Sequence, residues 1–306
     1  MNTKVFLLFF LIFISCIEST EVKLQRFLIK GNEAFQKQDF QQANYYFSEA
    51  IKLDSCFADA LNNLGTISYQ QQNFAKALAY YNQTLNCKPD WQTALFNRAN
   101  TYYELKEYYN ALADLNTIEK TNADTFALHF ARGLVFAKLS NFIKAEESFK
   151  LSLQKNGKSA EAMVNLASVF YYQKRFEEAE KLINESLLVN DSLANAYNTQ
   201  ALILIKKKNL QQALVAANKA LTISPRDAFA LNNRGYIYLL QQKEEEALED
   251  FNQSILQDPY NAWVYRNKGI YYLSKNDKAN ALRLFEQAKK LDDFVEGLDS
   301  LILVAK

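Results

Sequence analysis

The chain has 306 residues, with 35 lysines and arginines against 34 aspartates and glutamates, and 49% of it is hydrophobic. A charge balance this close to neutral offers no basic face to hold a phosphate backbone, which argues against nucleic acid as a partner. Seven glycines and three prolines supply little material for hairpin turns, so an all-α fold is expected.

The first segment differs from the rest. Lys4 supplies one positive charge, and Val5 to Ile14 is an unbroken apolar run. That run falls short of the roughly 20 residues a membrane span needs, but it fits the hydrophobic stretch of an export signal. Phe13-Ile14-Ser15-Cys16 follows directly and resembles the lipobox of bacterial lipoproteins, in which a small residue precedes a lipidated cysteine. Phe13 departs from the Leu usual there. On one reading, residues 1–15 are removed, Cys16 carries the lipid and residues 16–23 are a short tether. The protein would then sit in a bacterial cell envelope, at the outer membrane or periplasmic face, touching membrane only through its anchor. On the other, Cys16 leaves with an ordinary signal and the product is soluble in the periplasm or secreted. A cysteine placed where the apolar run ends favours the first.

From residue 24 onward one ruler governs the chain. Ala43, Ala77, Ala111, Ala145, Ala179, Ala213, Ala247 and Ala281 stand 34 residues apart without insertion or deletion. Gly31, Gly65, Ala99, Gly133, Ala167, Ala201, Gly235 and Gly269 each fall twelve residues before one of them, and Pro89, Pro225 and Pro259 twelve after. Such a period describes stacked units rather than one globular core. Small residues at two fixed slots mark where two helices cross closely. Four residues past each alanine stand Phe47, Tyr81, Leu115, Phe149, Ile183, Ala217, Phe251 and Phe285, one turn on along the same face. The unbroken phase predicts a single elongated domain. Residues 296–306 end it, Leu298, Leu301, Ile302 and Ala305 forming with Phe294 the apolar stripe of a capping helix.

This pattern resembles the tetratricopeptide repeat family, most fully in Leu64-Gly65 with Ala77, Tyr81 and Pro89, and in Gly235, Tyr238, Ala247, Phe251 and Pro259. Counted from Leu24, the units run 24–57, 58–91, 92–125, 126–159, 160–193, 194–227, 228–261 and 262–295. The resemblance implies a right-handed α-solenoid of eight helical hairpins within 24–295. It also implies a concave face lined by first helices, with ligand contacts at slots 2, 5, 6, 9, 12 and 13 of each unit.

Catalytic material is scarce. His129 is the single histidine and occupies a slot held elsewhere by core residues such as Leu61, Leu95 and Tyr265, so a packed structural imidazole is expected. No metal-binding or nucleophile-elbow string occurs, and no enzyme activity, cofactor, metal or small-molecule substrate is expected. Cys56 and Cys87 stand in non-equivalent slots. Since a disulfide needs Cα atoms within about 7 Å, two free thiols are expected.

Binding remains. Slot 6 holds Asn63, Asn97, Asn165, Asn233 and Asn267, and Asn100 adds an amide at slot 9. Side-chain amides carry both donor and acceptor, so such a ladder suits the backbone of an extended peptide; equally, it suits neighbouring backbone within the array. Tyr69, Phe96, Tyr103, Phe130 and Tyr171 at slots 5 and 12 add aromatic anchors. Contact is expected to centre on the middle repeats. The favoured function is a non-catalytic, lipid-anchored scaffold holding a protein or peptide in its groove. The alternatives are a self-associating envelope component and an accessory to an envelope enzyme.

Overall fold

The computed structural model describes residues 19–121, 124–293 and 295–306. Cys16 and Phe294 lie outside them. All regular structure among the described residues is helical. The chain falls into two compact units, divided between Ala123 and Asp124. The repeat phase runs through that boundary without marking it; the local sign is that α6 stops at Lys120, one residue shorter than every other second helix.

Unit 1 contains three hairpins: α1 (Thr20–Gln36) with α2 (Phe40–Leu53), α3 (Ala58–Gln70) with α4 (Phe74–Cys87), and α5 (Gln92–Glu104) with α6 (Tyr108–Lys120). Unit 2 contains five: α7 (Phe126–Lys138) with α8 (Phe142–Lys155), α9 (Ala160–Tyr172) with α10 (Phe176–Val189), α11 (Ala194–Lys206) with α12 (Leu210–Ile223), α13 (Ala228–Leu240) with α14 (Glu244–Gln257), and α15 (Ala262–Ser274) with α16 (Lys278–Leu291). The short α17 (Leu298–Ala305) then packs on α15 and α16.

The hairpin turn is the same in every repeat. Gln38, Gln72, Lys106, Ser140, Lys174, Lys208, Gln242 and Asn276 all take a left-handed φ of 55 to 63°. The following residue returns its N–H to the first helix, as Asn73 does to the Ser68 carbonyl at 2.9 Å, closing a Schellman motif. That next residue often caps the second helix: the side chains of Asp39, Asn73, Asn141, Asn209 and Asp277 each accept from the backbone N–H three residues on, satisfying one of the orphan donors of the first turn.

Within each hairpin the helices cross at the two small slots. All eight phase alanines are completely buried. A Cβ on Gly133 would lie 2.6 Å from the Phe149 ring, too close for any real contact, so glycine is required there. The partner volumes are matched along the chain. Glycine faces Phe or Tyr in five repeats, whereas Ala99, Ala167 and Ala201 face the smaller Leu115, Ile183 and Ala217. A larger residue in the first slot thus meets a smaller one in the second, as close packing demands.

Two cysteines correct the sequence expectation. Cys56 and Cys87 form a disulfide, with Cα atoms 5.5 Å apart. The offset between their slots is what permits it. Cys87 ends α4, whereas Cys56 lies in the connection that carries the chain from α2 to α3. That connection advances along the array and brings Cys56 to the end of the next repeat's second helix.

Candidate functional site

In unit 2 the first helices pack in series, α7 on α9, α9 on α11, α11 on α13 and α13 on α15, while each second helix packs on its own first helix and on the helix that follows it, never on another second helix. Closer spacing on one side than the other curves the layer, and the first helices form its inner wall. Along α9 to α15 this wall encloses a cleft of about 670 Å³, within the range of specific ligand sites.

The cleft floor is a chain of side-chain amides. Arg266 Nη1 donates to Asn267 Oδ1 at 2.8 Å, and Asn267 Nδ2 donates to Asn232 Oδ1 at 2.9 Å. Asn232 Nδ2 donates to Asn233 Oδ1 at 3.2 Å, and Asn233 Nδ2 donates to Asn198 Oδ1 at 2.7 Å. The relay crosses α15, α13 and α11 and ties three repeats together. Hydrogen bonds in series polarise one another, which rigidifies the floor. An amide can make four such bonds, so each retains capacity beyond the relay. Aromatic side chains complete the lining: Tyr171 and Tyr172 from α9, Phe229 and Tyr236 from α13, and Trp263 from α15. Burial pushes the Tyr171 phenol above its ordinary range.

Of the residues singled out from sequence, Tyr171, Asn233 and Asn267 line this cleft. Asn165, on α9, donates to the Glu161 carbonyl of its own helix at 2.8 Å. Phe130 packs against Phe126 and the buried Phe149. The others belong to unit 1. Asn97 donates to Asn62 Oδ1 at 3.1 Å, the same 35-residue inter-repeat bond as in unit 2, whereas Asn63 donates to Asn32 Oδ1 at 2.9 Å, 31 residues back at slot 9. Tyr69 packs on Phe74 across its hairpin turn, and Tyr103 does so on Tyr108, burial pushing the Tyr103 phenol up to about 12. Phe96 and Asn100 are half-buried on α5.

Sequence reading missed the acceptor side of the ladder. Asn62, Asn198 and Asn232 sit one slot before the ladder position, each paired with an amide 35 residues later. Counting Asn pairs at that separation would have found them. Tyr236 falls at slot 9, the slot of Asn100, and Phe229 and Trp263 fall at slot 2, both among the contact slots that the family resemblance implies.

His129 is buried and hydrogen-bonds Asp124 Oδ1 through Nε2 at 2.7 Å; Asp124 also takes Lys155. Through Asp124 the ring ties the start of α7 to Lys155 at the end of α8. Two other clusters repeat one plan. Arg98 and Arg234 each hold a buried carboxylate, Asp114 and Asp250, through two hydrogen bonds of 2.7–2.8 Å. Each also donates to an asparagine of the preceding second helix, Asn82 or Asn218. These bidentate pairs knit second helices to first helices.

A helical-hairpin array with a lined inner wall defines a repeat scaffold built for binding. Family models described as "Tetratricopeptide repeat" match residues 30–92, 130–195, 164–228 and 228–261, and the chain belongs to that family, whose members serve as protein-interaction scaffolds. Among solved structures it is similar to a tetratricopeptide repeat protein from Parabacteroides merdae (21% identity over 92% of this chain and 98% of that one, TM-score 0.45). It is also similar to TTC0263 from Thermus thermophilus (18%, 59% and 98%, TM-score 0.53) and to pilF of Pseudomonas aeruginosa (16%, 68% and 95%, TM-score 0.52). At these identities the likeness is one of fold. No curated protein matches the sequence.

Proposed function

We propose that this protein is an exported, lipid-anchored, non-catalytic scaffold that holds a partner protein, as an extended segment, in the α9–α15 cleft. The observation that carries the reading is the cleft itself. It has a pre-ordered amide relay running across three repeats, and aromatic side chains from α9, α13 and α15 share its lining. Extended polypeptide presents N–H and C=O groups at regular intervals, which side-chain amides match, and its side chains fill aromatic pockets with little loss of rotamer freedom. Export is supported by the apolar run from Val5 to Ile14, followed by Ser15-Cys16, and by the Cys56–Cys87 disulfide, since such bonds persist in oxidising compartments.

Affinity capture from native envelope, followed by mass spectrometry, tests the binding. Tyr236→Ala and Trp263→Ala are expected to release the captured partner while circular dichroism stays unchanged. A truncated aromatic anchor costs about 2 kcal/mol at a binding hot spot, roughly a thirtyfold loss. Retention by both variants, with release on changing exposed residues of α10, α12 or α14, would move the site to the opposite face.

A further inference from the structure

The rim of the cleft is cationic. Lys206, Lys208 and Arg266 line it against a single carboxylate, Glu296. Glu296 belongs to the connection between α16 and α17, 90 residues from its partner, yet Lys206 Nζ holds its Oε2 at 3.1 Å. Arg266 spends its fork on uncharged acceptors: Nε donates to the Glu296 carbonyl and Nη1 to Asn267 Oδ1, both at 2.8 Å. Among the described residues no carboxylate pairs with Lys208. Three cations therefore face one anion, and that anion is supplied by the chain itself.

The Lys206–Glu296 pair is open to solvent, its side chains 38% and 57% exposed. Ion pairs this exposed are weak and readily exchanged. Lys206 chiefly, with Lys174 and Arg266 adding their charge, holds the Glu296 carboxyl below the usual carboxylate range. Glu296 is an internal residue, flanked by Val295 and Gly297, so the subsite as occupied admits a side-chain carboxylate on a chain that continues in both directions.

We propose, taking the cleft as a peptide site, that its ligand is an extended segment carrying an acidic side chain, which Lys206 receives in place of Glu296. The acid gives the segment its register. Aromatic or large aliphatic neighbours of that acid fill the space between Tyr236 and Trp263, and the segment's backbone lies on the amide floor. Glu296 acts as a tethered competitor. It keeps the cationic rim from holding arbitrary anions and is displaced only by a carboxylate that brings those further contacts with it.

Random peptides displayed on phage and selected on the full chain supply the probe. Enriched sequences are expected to carry Asp or Glu beside an aromatic or large aliphatic residue. With the best binder fluorescein-labelled and read by anisotropy, Lys206→Gln is expected to weaken binding about fivefold. Converting the peptide's acid to its amide should cost the same, and the two changes together should cost no more than either alone. Glu296→Gln is expected to tighten binding about threefold, because a competitor is removed. Lys206→Glu should reverse the preference, favouring the peptide with Lys in place of its acid, a gain no misfolded variant produces. Selected peptides that lose binding on Trp263→Ala but ignore residues 206 and 296 would overturn this inference and leave the scaffold reading standing. So would peptides bound only through a free C-terminal carboxylate. Failure to select any peptide would overturn both.

Discussion

Gly133→Ala places a methyl group where the Phe149 ring already lies. The new Cβ would sit 2.6 Å from both Cδ1 and Cε1 and 2.8 Å from Cζ. Phe149 is completely buried and its ring packs edge-on against Phe130, centroids 5.8 Å apart, so any shift of the ring must displace packed neighbours. Two effects oppose each other. Alanine is a better helix former than glycine by about 0.8–1.0 kcal/mol, while overpacking a close-packed crossing costs about 1–3 kcal/mol. A rigid ring puts the second effect in its upper half, giving a net loss of about 1–2 kcal/mol. Phe149→Leu alone removes ring volume and costs about 1–2 kcal/mol by leaving a cavity. Gly133→Ala with Phe149→Leu reproduces the Ala99–Leu115 crossing already present in repeat three, so the double variant should be more stable than the sum of the singles by about 1–2 kcal/mol. Urea unfolding followed by circular dichroism reads the totals. Hydrogen exchange on α7 and α8 localises them, which matters because repeat arrays open in parts. Additivity to within about 0.5 kcal/mol would refute volume matching between the two slots.

The remaining predictions concern single bonds. Cys56→Ser opens a bridge that closes a loop of 31 residues, which is expected to cost unit 1 about 3–4 kcal/mol in urea; alkylation of both cysteines in the native, unreduced protein would show that the bridge is absent. Arg234→Met strands the buried Asp250 carboxylate and should destabilise by about 2–3 kcal/mol, Arg234 being partly exposed. Arg234→Met with Asp250→Leu should recover most of that, and no recovery would mean the loss comes from packing. Cys16→Ser is expected to accumulate as an unprocessed precursor that no longer partitions into detergent, whereas unchanged processing would favour an ordinary cleaved signal.

Fold class, helix pairing and the crossing points were legible from the ruler of alanines and glycines. In a repeat array almost every stabilising contact lies within one hairpin or between neighbours, so contacts recur at fixed sequence separations. The matched pairs, glycine with Phe or Tyr and alanine with Leu, Ile or Ala, were written in the same two columns. The positions of the inner wall were legible as slots, but the cleft was not. Asn63 and Asn233 read alike in one dimension, yet one amide belongs to a pair and the other to a relay of several side chains. The difference depends on which residues occupy the adjacent slot one repeat earlier. Two features were decided only by tertiary structure: the Cys56–Cys87 bridge and the approach of Glu296 to Lys206. Each depends on how a connecting segment leaves its helix. A turn of a few residues can redirect the chain by a full helix diameter, and no period in the sequence records that direction.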